Sequence, residues 1–133
     1  MSKVVLVTGG RYFNLTAGVH QILSAIHEKH TIECLHEGGA TGADELCKLW
    51  ALAHNIPVFT HEAEWKTFGP RAGTMRNSRM LRTAKPDMAV AFPGNTGTAD
   101  MIAKLKKDKV TTLIGSYAKG SDEKLLSWTV QNG

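Results

Sequence analysis

The sequence predicts an α/β fold of three layers, with helices on both faces of a mostly parallel sheet of about five strands, formed by a single domain spanning residues 1–133. Three observations lead there. Short β-branched runs alternate with helical patterns along the chain. The runs are almost entirely apolar, as strands covered on both faces require. Loops that follow the strands are rich in glycine and open into helices, as expected at the carboxyl edge of such a sheet.

The elements follow in order. KVVLVT (3–8) is the first strand, and a helix from about Thr16 to Lys29 carries Val19, Ile22, Leu23 and Ile26 at helical spacing. TIECLH (31–36) is the second strand, followed by a helix from about Ala43 to His54. IPVFTH (56–61) is the third, and after the long segment EAEWKTFGPRAG (62–73) a helix runs from about Ala72 to Ala84. DMAVAF (87–92) leads through Pro93 to Gly97 into a helix from about Thr98 to Lys107, and VTTLIG (110–115) is the fifth strand. The last stretch, SYAKGSDEKLLSWTVQNG, has turn residues before LLSWTV, which reads equally as an added edge strand or a short packing element.

Composition bounds the function. At 133 residues, 42% hydrophobic and 21% charged, the chain can bury a core of its own. MSKVVLVTGG is too short an apolar run for a signal peptide, and nothing approaches the roughly 20 apolar residues of a membrane helix, so a cytoplasmic protein without membrane contact is expected. Cys34 and Cys47 are not in metal-type spacing and the six histidines form no HExxH pattern, so neither a metal nor another cofactor is implied. A net charge of +4 and a pI near 9.2 favour an anionic partner. The charge is dispersed, however, and Trp50, Trp65 and Trp128 build no stacking platform, which makes nucleic acid the less favoured one.

Three loops carry the chemistry. After the first strand come Thr8, Gly9, Gly10 and Arg11; after the second, Gly38, Gly39, Thr41, Gly42 and Asp44; after the fourth, Pro93, Gly94, Asn95, Gly97 and Thr98. A phosphate reaches main-chain N–H groups where no Cβ intervenes, and hydroxyls add donors, so these residues are the expected ligand-binding set. Glycine also serves turns and tight packing, and each loop alone is a weak signal. The spacing is neither GxGxxG nor a P-loop, which disfavours Walker-type phosphoryl transfer. In RAGTMRNSRM (71–80), Arg76 and Met80 share a helix face toward the sheet edge, making Arg76 a candidate for meeting phosphate. Trp65 or Phe68 of the long loop are candidates to stack on a base or to pack as a lid.

Taken together, VTGGRYF, HEGGATGADELCKLWA, the Trp-containing loop, AGTMRNSRM and VAFPGNTGTADM resemble, in this order, the SLOG superfamily of Rossmann-like nucleotide-ligand-binding proteins, and its YspA-like group most of all. The resemblance spans about Lys3 to Met101. It implies a Rossmann-like fold, a small nucleotide-like ligand and a homo-oligomer, a dimer or larger. The superfamily includes the Lonely Guy phosphoribohydrolases, whose PGGxGTxxE and MxxRKxxM motifs cleave an N-glycosidic bond. Their arginine falls on Arg76 and their phosphate loop on Pro93, Gly94, Gly97 and Thr98. Their second motif glycine is Asn95 here and their glutamate is Met101, whose thioether cannot act as a base. Asp44, Asp100 and Glu37 are the carboxylates within reach of these loops. The expected function is therefore binding of a phosphoribosyl or ADP-ribose type ligand as sensor, carrier or sequestering protein. The alternatives are a nucleotide N-glycosidic hydrolase, with Arg76 and Asp44 or Asp100 as catalytic candidates, and a nucleic-acid-binding protein.

Overall fold

The computed structural model describes residues 2–118 and 125–133. The elements are β1 (Lys3–Thr8), α1 (Thr16–His30), β2 (Ile32–Glu37), α2 (Ala43–Ala53), β3 (Val58–Thr60), α3 (Trp65–Phe68), α4 (Ala72–Ala84), β4 (Met88–Ala91), α5 (Thr96–Lys107), β5 (Thr112–Tyr117) and β6 (Leu126–Gln131). A 3₁₀ turn, Gly69–Arg71, joins α3 to α4. One sheet of six strands has the order β3-β2-β1-β4-β5-β6. The first five are parallel, and β6 runs antiparallel to β5 from Thr112 opposite Gln131 to Tyr117 opposite Leu126. The expected sheet of about five strands thus gains a sixth: LSWTVQ is an edge strand, because a terminal segment returning over a short connection pairs antiparallel. The turn residues expected at 119–124 lie outside the described residues.

The three layers follow from the period of two in β1. Val5 and Val7 face a core built with Val19, Leu23 and Ile26 of α1 and Cys47 and Trp50 of α2. Leu6 faces the opposite core of Met80 and Leu81 from α4 and Met101 and Leu105 from α5. Trp50 is buried whole, its indole N–H donating to Ser24 Oγ at 3.1 Å and so tying α2 to α1.

Phe92, at the end of β4, fixes the edge where the loops emerge. Its ring packs on Phe13 at 5.2 Å and edge-on to Trp128 at 5.6 Å, joining the loop after β1 to β6. Truncating so buried a ring costs about 3–5 kcal/mol. Expected boundaries shift in several places: β3 is three residues long, α5 begins at Thr96 rather than Thr98, β5 runs Thr112–Tyr117 rather than 110–115, and the long segment 62–73 holds α3 and the 3₁₀ turn. Among the described residues no helix is long and apolar enough to cross a membrane.

Candidate functional site

β1 and β4 lie side by side in the sheet, and the chain leaves them in opposite directions, toward β2 and toward β5. Such a switch point opens a crevice at the carboxyl ends of the two strands. The loops are zipped at its base: Phe92 N donates to Thr8 O, and Gly10 N donates to Pro93 O, each at 2.9 Å. A side chain at Gly94 would run into Thr98 Oγ1 and stand 2.7 Å from Gly10 N, and one at Gly10 would come within 2.9 Å of Pro93 O. Gly10 and Gly94 are therefore required by the contact between loops, whatever else they do. Gly42 has φ +77°, and a Cβ there would strike the Gly10 and Arg11 carbonyls.

Gly97 is different. Exposed in the first turn of α5, it would place a Cβ with nothing beyond its own helix within 4 Å. Packing does not explain it, and glycine in a helix costs about 0.5–1 kcal/mol relative to alanine. The turn it occupies has no side-chain cap and no acidic residue, so the leading N–H groups of α5 and the positive end of its dipole face an open cavity of about 270 Å³. Arg11, Arg76, Asp44 and Thr98 also line that cavity.

Across the crevice, two buried carboxylates organise the loop after β2. Glu37 accepts from Gly39 N at 2.6 Å and from the Thr60 hydroxyl. Asp44 Oδ2 accepts from Gly38 N and Ala40 N, both at 3.2 Å. The Gly38, Gly39 and Ala40 amides are thus occupied by the protein's own carboxyl groups rather than presented to a ligand. Burial pushes the Asp44 carboxyl up to about 7; the Ala40 amide opposes this, the Glu37 charge reinforces it, and Arg76 and the Gly38 amide oppose it. Arg76 donates through Nη1 to Gly38 O and, at 3.4 Å, to His61 O, with Nε donating to Asn77 Oδ1 at 3.0 Å. Burial lowers its pKa, partly offset by Asp44 and Glu37.

A model for the YspA, cpYpsA-related SLOG family matches residues 3–68, covering β1, β2 and both loops that follow them. The Gene 61 protein of Mycobacterium phage D29 is 34% identical over 95 residues, covering 67% of this chain and 75% of that relative. This chain belongs to the YspA, cpYpsA-related SLOG family. Membership in this SLOG family suggests nucleotide-related ligand binding or a related function.

The SLOG crevice gathers most of the expected set. Thr8, Gly9, Gly10, Arg11, Gly38, Asp44, Arg76, Asn95, Gly97 and Thr98 share the central cavity. Gly39 and Thr41 instead line a neighbouring cavity with Trp65, and Pro93 and Gly94 line another on the far side of α5's first turn. Gly42 and Asp100 line none of the three; Gly42 is packed beneath Arg11, and Asp100 is held by Lys104 Nζ at 2.6 Å and Asn77 Nδ2 at 3.0 Å. Met101 is fully buried in the core with Leu6 and Met80, so its position points away from the crevice.

Asn77 escaped the sequence reading. Only 3% exposed, it accepts from Arg76 and donates to Gly97 O at 3.1 Å and to Asp100, coupling α4 to the first turn of α5. A poor helix former midway along α4 beside the singled-out arginine was the available signal. Tyr12 and Thr96, also on the cavity wall, carried none. Among the described residues no group of three or more His, Cys, Asp or Glu is placed to hold a metal ion.

Proposed function

We propose that this protein binds a nucleotide or nucleotide-derived ligand of the phosphoribosyl or ADP-ribose type, as a sensor, carrier or sequestering protein. The phosphate sits on the N-terminal amides of α5, between Arg11 and Arg76. The observation that carries this reading is Gly97: a helix start left uncapped, and kept free of side chains where packing does not demand it, facing a cavity that two arginines line. Thr98 and Asn95 add side-chain hydrogen bonds, and Thr8 closes the floor. Calorimetric titration with AMP, ADP and ADP-ribose tests it. At least one should bind below millimolar, and Arg76→Ala should weaken that binding by roughly 1.5–3 kcal/mol, the worth of a charge-assisted hydrogen bond. A folded protein that binds none of them rules the reading out.

N-glycosidic hydrolysis is a second reading, favoured by one observation: Asp44, a carboxyl held near neutral pKa, lines the cavity beside Arg76. Release of free base from AMP, abolished in Asp44→Asn, supports it; release unaffected by that change excludes Asp44.

A further inference from the structure

The central cavity does not stand alone. It shares Arg11, Gly38, Ala40 and Arg76 with a second chamber of about 360 Å³, and Gly10, Tyr12, Asn95 and Thr98 with a third of about 510 Å³. The three run together along the carboxyl edge of the sheet, with both arginines and the start of α5 in the middle.

The two ends resemble each other in one respect: each offers an exposed aromatic ring, Tyr12 standing where the central cavity meets the larger end. At the larger end Tyr12 is 84% and Tyr117 42% exposed, over a floor that includes Phe13 and Phe92, and among the described residues its lining holds no charged one. At the smaller end Trp65 is 48% exposed, with the Arg11 guanidinium 5.9 Å from its ring centre. The guanidinium stands at the limit of a cation–π contact, near enough to bridge a phosphate in the centre and a base on the ring. Glu62 stands on the same wall, an acceptor for an exocyclic amine or a ribose hydroxyl. An exposed ring on a cavity wall is a stacking surface, and every nucleobase has a π-face to offer.

We infer that the ligand is two-ended: a dinucleotide joined through a diphosphate, its phosphates between Arg11 and Arg76 and one base on each flanking aromatic wall. This rests on the phosphate-binding reading above and names the substrate class for it. A mononucleotide satisfies the centre and one end only. At about 270 Å³, the central chamber is also below the roughly 300–1,000 Å³ usual for small-molecule sites, whereas the flanking chambers supply the missing room. The uncharged lining at the Tyr12 end suits a neutral ring and not a further phosphate.

The test is titration of the whole protein with ADP and with diadenosine diphosphate, for the parent and for Tyr12→Ala and Trp65→Ala. Both side chains are exposed, and circular dichroism confirms that the variants fold. The dinucleotide should bind at least roughly tenfold more tightly than ADP, since one added base stack is worth about that much. Each variant should lower dinucleotide affinity by a similar factor, while only one of them lowers that of ADP. Equal affinities for the two ligands, with ADP binding still dependent on Arg76, overturn the two-ended ligand and leave the phosphate site standing. Binding of neither overturns both.

Discussion

Asn77 Nδ2 lies 3.1 Å from the carbonyl oxygen of Gly97, so the helix that carries Arg76 is hydrogen-bonded to the first turn of the helix that faces the cavity. The same amide reaches Asp100 Oδ2 at 3.0 Å, and Asp100 is in turn held by Lys104. The cation and the helix dipole that would meet a phosphate are thus positioned by one buried side chain.

Gly97→Ala separates stability from binding. The added methyl meets no neighbour and improves the helix, so the variant should be more stable by roughly 0.5 kcal/mol in chemical unfolding. It should also bind nucleotide more weakly, because the Cβ enters the space a phosphate needs. A variant that binds as well as the parent would remove Gly97 from the site.

Gly94→Ala behaves in the opposite way. Its methyl collides with Thr98 Oγ1 and crowds the Gly10 amide, so the loops must part, at a cost of about 1–3 kcal/mol. Urea unfolding measures this, and an unchanged midpoint would show that the loop contact is loose.

Asp44 gives stability a pH dependence. Its folded pKa of about 7 lies above the ordinary value of 3.8, so the protonated carboxyl favours the fold. That contribution is complete below about 3.8 and is lost as pH rises to about 7 and beyond. Asp44→Asn should therefore gain on the parent across this window, by at most about 4 kcal/mol, since each pH unit between the two values is worth about 1.4 kcal/mol. Parallel stability curves for the two proteins would refute it.

His36 and His61 work from the other side. Nδ1 of His36 and Nε2 of His61 are 2.8 Å apart with the rings stacked, an arrangement in which one nitrogen must be unprotonated. Burial lowers both pKa values, helped at His36 by His61 and at His61 by Arg79. A lowered folded pKa means that the pair stabilises the fold above about 6.5 and that this is lost as pH falls through the folded values. NMR titration should give both midpoints below 6.5; a midpoint at or above that value at either ring contradicts it.

Much of the fold was legible because burial dictates it. The apolar runs of β1, β2 and β4 have few ways to be covered other than by helices on both faces, and the Val19, Leu23 and Ile26 stripe of α1 packs as its spacing requires. The edges were harder. β6 alternates weakly, and whether it pairs depends on what β5 leaves open, which no local pattern encodes. In the crevice, residue types pointed to loops that the fold brings together but could not say which amides remain free. Gly38, Gly39 and Ala40 have theirs taken by Glu37 and Asp44, a pairing set by the positive φ of Gly39 and by where α2 begins. Trp65 and Tyr12 lie more than fifty positions apart in the chain, and only the topology brings their chambers to one edge.

The pairing of β1 with β4 also bears on how the protein is made. The amide of Val4 is held by the carboxylate of Asp87 across 83 positions of chain, so β1 has one flank unpaired until β4 has left the ribosome. Long-range parallel pairing of this kind is slow to form. The crevice is therefore among the last features to be completed, and a nascent or truncated chain that ends before Ala91 has β2 and β3 available to pair but lacks the start of α5 that closes one wall of the cavity.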